Sequence, residues 1–273
     1  MTSGRNSNAA AATFRGGVQG RVRRMGENMN RQELKKEEKR RTALNYDADT
    51  GVFDLDPSVL SDDFREAVIE CIAAQKEAAG AAFSAFKPNP RALAEVSEEA
   101  LARLRTRGKD VHGISKQRSI SDVIVFGARN IPDSHRSATV EALRAKVDKK
   151  AYKLVKSIFP GTSGLVVGSS GHFWYPSGSY MGWHTNSGAP GWRVYINYAE
   201  EEGKSFFRYR DPATSEITTL MDKKWNIRIF RITSEDPLWH AVYSSTNRFS
   251  LGYIIYRESL TARVARKARR LFR

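Results

Sequence analysis

The stretch RVYINYAEEEGKSFFRY, residues 193–209, contains two runs of β-branched and aromatic residues separated by a polar turn with a glycine. Similar runs recur through the C-terminal half: LVVG at 165, HFWY at 172, WNIRIFRI at 225 and FSLGYIIYR at 249. Such side chains favour strands, and the Gly, Pro, Asn and Asp clusters between the runs favour turns. The pattern predicts closely spaced strands that form a barrel or a jelly roll.

Upstream of residue 161 the sequence predicts helices. One helix is expected to start at Ser61, with acidic residues at its positive end. Its apolar stripe is predicted to consist of Phe64, Val68, Ile69 and Ile72. Two further helices are expected, from Ser97 toward Gly108 and from about Ser137 to Phe159, with a strand at 122–126 between them. Because helices that precede such a β region usually pack on one face of its sheet, the fold class is α+β.

Charge is concentrated at the two ends of the chain. The net charge is +15; residues 1–44 contain 11 basic and 4 acidic side chains, and residues 261–273 contain six basic and no acidic ones. We therefore expect four segments: a basic disordered arm (1–44), a helical part (45–160), the β core (161–259) and a basic tail (260–273). Cationic ends suit an anionic partner such as nucleic acid or an acidic assembly, or act as solubilising tails.

Composition excludes several classes of protein. Hydrophobic residues make up 40% of the 273 residues and aromatic residues 10%, which excludes a chain disordered throughout. Charges or turn residues interrupt every apolar run well before 18 residues, so no membrane span is expected. Cys71 is the single cysteine, which excludes an internal disulfide and a cysteine-based zinc site. Any metal must therefore have histidine and oxygen ligands.

The N-terminal residues bear on localisation. The first 26 residues contain five arginines and no acidic residue, and they lack the apolar segment of a secretory signal. Together with the single cysteine, this predicts an intracellular, cytoplasmic protein. The same arginine-rich composition is also compatible with an organellar transit peptide.

Two of the five histidines lie in contexts that suggest chemistry. His184 is followed two positions later by Asn186, which in an extended strand would point to the same side. His240 lies on a different strand and is followed eight residues later by Arg248, with Ser250 on the same face as that arginine. The ordered set is H-x-N, a long gap, H, and R-x-S.

This set resembles the 2-oxoglutarate/Fe(II)-dependent dioxygenases, whose double-stranded β-helix contains H-x-D, a distal His, and a downstream Arg or Lys followed by Ser or Thr. The resemblance covers about residues 164–257 and is closest to the prolyl 4-hydroxylase-like branch. YPSGSYMGWHTN places Tyr175 and a glycine at that branch's spacing from the first histidine. RVYINYAEEEGKSFFRY adds Tyr195 and Asn197 of a Y-x-N strand, an acidic and glycine turn, and an aromatic strand.

The resemblance implies a double-stranded β-helix with Fe(II) and 2-oxoglutarate bound inside it. It implies that His184, Asn186 and His240 hold the metal, leaving positions open for the keto acid and for O2. It further implies that Arg248 pairs with the distal carboxylate of 2-oxoglutarate, since a guanidinium binds a carboxylate bidentately and keeps its charge. Ser250, Tyr175, Tyr195 and Asn197 are the other candidate cosubstrate residues.

Asn186 is where the sequence departs from the family, which has an aspartate there. An asparagine offers a neutral carbonyl oxygen and no negative charge, so weaker metal affinity is expected. A carboxylate from elsewhere, such as Asp211 or Asp236, is an alternative ligand that the motif does not place. Three interpretations follow: an active enzyme with a variant ligand set, an enzyme that binds iron weakly, and a barrel retained for binding.

The leading hypothesis is an Fe(II)- and 2-oxoglutarate-dependent oxygenase, a hydroxylase of a protein, peptide or other macromolecule. The alternative is a catalytically inactive barrel that acts as a structural, nucleic-acid-binding or assembly-binding subunit through its basic ends. Asn186 is the residue that separates the two.

Overall fold

The computed structural model describes residues 43–106, 120–121, 124–125, 137–235 and 238–258. All described helices and strands belong to one compact unit, Leu44–Arg273. Both basic ends lie outside the described residues, as do Gly108 and part of the predicted strand at 122–126. Within the described ranges, no helix is long and apolar enough to cross a membrane.

The described residues form five α-helices and eleven strands. The helices are α1 (Asp62–Ala78), α2 (Gly80–Ala85), α3 (Ala92–Glu95), α4 (Glu98–Thr106) and α5 (Ala138–Ile158), with a 3-10 turn at Pro57–Val59. The strands are β1 (Val52–Leu55), β2 (Ile120–Ser121), β3 (Ile124–Val125), β4 (Leu165–Tyr175), β5 (Ser179–His184), β6 (Gly191–Ala199), β7 (Ser205–Arg210), β8 (Ile217–Met221), β9 (Trp225–Ile232), β10 (Trp239–Ser244) and β11 (Arg248–Arg257).

The strands form two antiparallel sheets in jelly-roll order. One sheet has the order β1-β9-β6-β11-β4-β3, and the other has the order β2-β5-β10-β7-β8. From β4 to β11 the pairing is nested, because β4 pairs with β11, β5 with β10, β6 with β9, and β7 with β8. A long two-stranded ribbon therefore folds back and forth between the sheets, which is the double-stranded β-helix. The predicted fold class is confirmed.

The predicted helix starts are confirmed, but one residue of the predicted apolar stripe, Ile69, is exposed rather than buried. The side chain of Ser61 accepts a hydrogen bond from the N–H of Phe64 and caps α1, and Ser137 caps α5 in the same way. Phe64, Val68 and Ile72 are buried, but Ile69 is 40% exposed. Its position one residue after Val68 turns it about 100° around the helix, which moves it out of the stripe.

The strand predictions divided one strand and missed others, among them β1 and β8. LVVG and HFWY belong to a single strand, β4, whose pairing with β11 shifts between Gly252 and Tyr253. β8 (ITTLM) went unpredicted because it is short and only partly buried. β1 also went unpredicted, and it extends the first sheet by pairing with β9. Neither miss changes the topology of the core.

Helices cover the outer faces of both sheets. α1 and α5 pack on the larger sheet through a cluster that includes Trp192, Ile227 and Tyr253. In addition, α3 and α4 pack on the smaller sheet around Trp183 and Phe206. Cys71 lies in the first cluster, and burial raises the pKa of its thiol to about 11. A third cluster lies between the sheets and lines the pocket described below.

Candidate functional site

His184 and His240 face each other across two paired strands. His184 ends β5, and the register places it directly opposite His240 of β10. The imidazole ring centroids are 4.1 Å apart. Both side chains are almost completely buried. The expectation that the two histidines come together in the β region is therefore met by strand pairing.

Backbone carbonyls hold both imidazole rings in place. The Nδ1 atom of His184 is 2.7 Å from the carbonyl oxygen of Gly182, and Nδ1 of His240 is 2.9 Å from that of Leu238. A carbonyl oxygen only accepts, so each Nδ1 carries the hydrogen and donates it. Each Nε2 then carries the lone pair that can bind a metal, and the other nitrogen fixes the orientation of the ring.

Asn186 reaches the histidine pair by a route that the sequence did not predict. Its predicted position on an extended strand is wrong, because β5 ends at His184 and Asn186 has a φ of 54°. Asparagine adopts this left-handed conformation more readily than most residues. The turn brings Nδ2 of Asn186 within 3.4 Å of Nε2 of His240, to which it can donate. The three predicted metal ligands are thus adjacent.

A pocket between the two sheets begins at the histidines and contains about 350 Å³ not filled by atoms, a volume that includes open solvent. Seven of the eight candidate site residues line it: Tyr175, His184, Tyr195, Asn197, His240, Arg248 and Ser250. The other lining residues are Phe173, Met181, Phe207, Arg228 and Val242. Asn186 contacts His240 but is not part of the lining.

An ionic cluster that the sequence did not predict lies at the arginine side of the pocket. Nε of Arg248 donates to Asp222 at 2.7 Å, and Nη1 of Arg228 donates to the other oxygen of that carboxylate at 3.1 Å. Ser205 also donates to Asp222. Arg228 additionally makes a two-point contact with Asp54. The side chains of Asp222, Arg228 and Arg248 are each at most 2% exposed.

Asp222 is ionised in this cluster. Burial raises the pKa of its carboxyl, but the charges of Arg248 and Arg228 outweigh burial and hold the pKa below its ordinary value of 3.8. One buried carboxylate therefore serves two buried guanidiniums. A signal was present for Arg228, because it shares an alternating face of β9 with Phe230 and Ile232. For Asp222 no local signal exists.

Unmet hydrogen-bonding capacity remains in the pocket. In the part of the chain that the structure describes, Nη1 of Arg248 and both side-chain amide atoms of Asn197 are buried without a partner. Asn197 lies directly opposite Ser250 in the β6–β11 pairing. Buried polar atoms are rarely left unpaired in folded proteins, so this group is suited to a polar ligand. The unpaired nitrogen belongs to the side chain predicted to bind a carboxylate.

The two tyrosine candidates border the same region. The guanidinium carbon of Arg248 lies 5.0 Å from the ring centroid of Tyr175. The hydroxyl of Tyr175 contacts the sulfur of Met181 at 3.8 Å, and burial raises the pKa of this phenol well above its ordinary value. Tyr195 packs on Phe230. The phenol of Tyr175 therefore stays neutral, and both tyrosines present an apolar face with a polar tip.

The residues fit a divalent metal with one difference from the usual iron site. Two imidazoles and an adjacent amide are donors that iron accepts. The described residues contain no group of three or more His, Cys, Asp or Glu side chains that could hold a metal. Asp211 is not a substitute ligand, because it accepts hydrogen bonds from Ala213 and Thr214 in the β7–β8 turn. Asp236 lies outside the described residues.

Comparisons with known proteins give remote structural similarity only. No protein-family model matches the chain, and no curated protein matches it. A Trichoplax adhaerens prolyl hydroxylase, solved in complex with a peptide fragment of the hypoxia inducible factor oxygen degradation domain, is similar at 11% identity. The alignment covers 84% of this chain and 94% of that one, with a TM-score of 0.46.

Two further prolyl hydroxylases show the same level of similarity. The Pseudomonas putida prolyl-4-hydroxylase is 13% identical over 78% of this chain and 95% of that one, with a TM-score of 0.39. The viral collagen prolyl hydroxylase of Paramecium Bursaria Chlorella virus-1, in its 2-oxoglutarate complex, is 15% identical over 75% and 94%, with a TM-score of 0.34. These similarities extend over most of each chain but are too remote to assign a function.

Proposed function

We propose that this chain is an Fe(II)- and 2-oxoglutarate-dependent oxygenase. The observation that carries the proposal is the arrangement of the pocket: a pair of oriented imidazoles on one side and a buried guanidinium with an unpaired nitrogen on the other. These are the two groups that a metal-chelating keto dicarboxylate requires. The family that the sequence resembles has two histidines, then an arginine or lysine, then a serine or threonine in the same order, and it differs at Asn186.

His184 and His240 would hold the metal through Nε2, and the Asn186 amide would supply a neutral third oxygen. Arg248 would receive the distal carboxylate on Nη1, beside Ser250 and Asn197. Iron bound there would supply the chemistry by which O2 and 2-oxoglutarate yield succinate, CO2 and a hydroxylated substrate. The aromatic walls, formed by the buried Phe207 and the partly buried Phe173, would exclude water from that reaction.

We assign the substrate to the protein, peptide or other macromolecular class, as the resemblance to prolyl 4-hydroxylases implies. The reaction would then be hydroxylation of a C–H bond on that substrate. Incubating the protein with candidate peptides, Fe(II), 2-oxoglutarate and O2 should give a product 16 Da heavier, together with succinate. Succinate without any heavier product would leave an oxygenase that acts on another class.

A second candidate function is an inactive barrel that binds a structural partner or nucleic acid. It is favoured by the amide of Asn186, which lies against the Nε2 of His240 that a metal would use. It is also favoured by the neutral charge of all three candidate ligands. The basic ends would provide the surface for an anionic partner.

Anaerobic spectroscopy separates the two functions. Adding Fe(II) and 2-oxoglutarate to the protein should produce a weak visible charge-transfer band if the keto acid chelates bound iron. His240→Ala is the matched control, since it removes one imidazole and should abolish the band. If the unaltered protein shows neither the band nor bound iron, the oxygenase proposal is wrong and the inactive barrel stands.

A further inference from the structure

Both charged side chains that line the pocket are cationic. Of the twelve described residues that line it, Arg228 and Arg248 are charged, and none of the twelve is acidic. Asp222 lies behind the wall, where both guanidiniums already share it. A second carboxylate, Asp54, contacts Arg228, and its side chain is 42% exposed. The two guanidiniums are therefore paired with two carboxylates, and no described lining residue offers a negative charge to a cation that enters the pocket alone.

The described residues on the opposite side of the pocket add no acidic group. His184 and His240 donate from Nδ1 to carbonyls, so each Nε2 offers a lone pair without a negative charge. Asn186 contributes an amide where a carboxylate would add a negative charge. A divalent metal that binds alone would thus bring two positive charges to a buried site whose described ligands carry no negative charge. Burying charge without a counter-charge is strongly unfavourable.

We infer that the metal and the keto dicarboxylate bind this site cooperatively, each much more tightly when the other is present. A dianion cancels the charge of the metal, and its distal carboxylate pairs with the unused nitrogen of Arg248. The negative charge that other ligand sets take from the protein is supplied here by the cosubstrate. By thermodynamic linkage, each ligand must tighten the other by the same factor. This coupling rests on the proposed function and extends it to the order in which the site is filled.

Binding of Mn(II) measured by calorimetry, with and without 2-oxoglutarate, tests the coupling. Mn(II) replaces Fe(II) so that no oxidation occurs during the titration. We expect 2-oxoglutarate to tighten Mn(II) binding on the order of 100-fold, near the upper end of the usual range for coupled sites. Pyruvate offers the same chelating group without a distal carboxylate, so its effect should be about 10-fold or less. Equal effects of the two acids would overturn the part assigned to Arg248.

Asn186→Asp is the decisive variant. Aspartate tolerates a positive φ almost as well as asparagine, so the turn after β5 should be kept. The added charge should tighten Mn(II) binding in the absence of 2-oxoglutarate and reduce the coupling to about 10-fold or less. An unaltered thermal unfolding curve would show that the fold is retained.

The failures of the two proposals are distinguishable. Mn(II) binding that is equally tight with and without 2-oxoglutarate would overturn the coupling and leave the oxygenase proposal standing. Coupling of the same size in Asn186→Asp would also overturn it, because the missing charge would then not be its cause. Absence of Mn(II) binding under both conditions would overturn the oxygenase proposal and the coupling together.

Discussion

The two sides of the pocket hold their polar groups by different means. On the histidine side, each imidazole is held by one hydrogen bond to a backbone carbonyl two residues away in sequence. On the arginine side, Asp222 joins side chains from separate strands through three charged or hydroxyl contacts. The backbone hydrogen bonds orient the imidazoles and contribute little to the free energy of unfolding. The buried ionic contacts of Asp222 link separate strands and therefore contribute much more. Changes on the two sides should therefore have different consequences.

The largest expected effect on stability comes from Asp222→Ala. This change leaves the buried charges of Arg228 and Arg248 without their shared partner. Breaking a buried ion pair in this way costs about 3–5 kcal/mol of unfolding free energy. Urea unfolding followed by tryptophan fluorescence measures it. Asp54→Ala removes the exposed partner of Arg228 and should cost about 1 kcal/mol or less; equal losses in both variants would mean that burial does not set the size of the effect.

A second prediction concerns the arginine side as a ligand site. Arg248→Ala removes the unpaired nitrogen and should abolish 2-oxoglutarate binding, at a cost of several kcal/mol, on the order of 3–5 kcal/mol for a buried carboxylate that loses its partner. Asp222 keeps Arg228 in this variant, so the protein should remain folded but less stable. Calorimetry with 2-oxoglutarate and Mn(II) measures the loss. An unchanged affinity for 2-oxoglutarate would show that Arg248 does not bind it.

Acid titration should affect the arginine side through Asp222. Its carboxyl has a folded-state pKa below 3.8, so the unfolded chain binds the proton first as the pH falls. The stability from this group is fully present above about pH 4 and is lost as the pH falls through the folded-state pKa. Wild type should therefore lose stability in that window more steeply than Asp222→Ala, by at most about 1.4 kcal/mol per pH unit. If the unfolding free energies of wild type and Asp222→Ala fall in parallel as the pH is lowered, Asp222 is not the group responsible.

The sequence predicted the parts of the molecule that local pattern determines. Runs of β-branched and aromatic residues indicated most of the strands, and His184, His240 and Arg248 could be chosen by their spacing on them. The pocket then gathers these residues because the strands pair in nested order. The order itself was implied by the resemblance, since no local feature states which strand pairs with which.

Two features could not be predicted from the sequence, for physical reasons. Asp222 follows a short, partly exposed strand, and it gains its role only through Arg228 and Arg248 in the folded state. Its burial is a product of long-range packing. The position of Asn186 depends on a single left-handed residue beyond the strand end. Alternation along a strand predicts the side of a residue only while the strand continues.

The smallest effect on stability is expected on the histidine side. Each imidazole makes one neutral hydrogen bond to a carbonyl, which contributes about 0.5–1.5 kcal/mol to stability. His240→Gln keeps a polar side chain of similar length, so the unfolding free energy should fall by about 1 kcal/mol or less. The same variant should nevertheless lose Mn(II) binding in the presence of 2-oxoglutarate, because it removes a lone-pair nitrogen from the site. Urea unfolding and calorimetry on one preparation give both values. A loss of unfolding free energy in His240→Gln as large as that in Asp222→Ala would show that both sides of the pocket support the fold equally. The contrast between a side that orients ligands and a side that stabilises the fold would then be wrong.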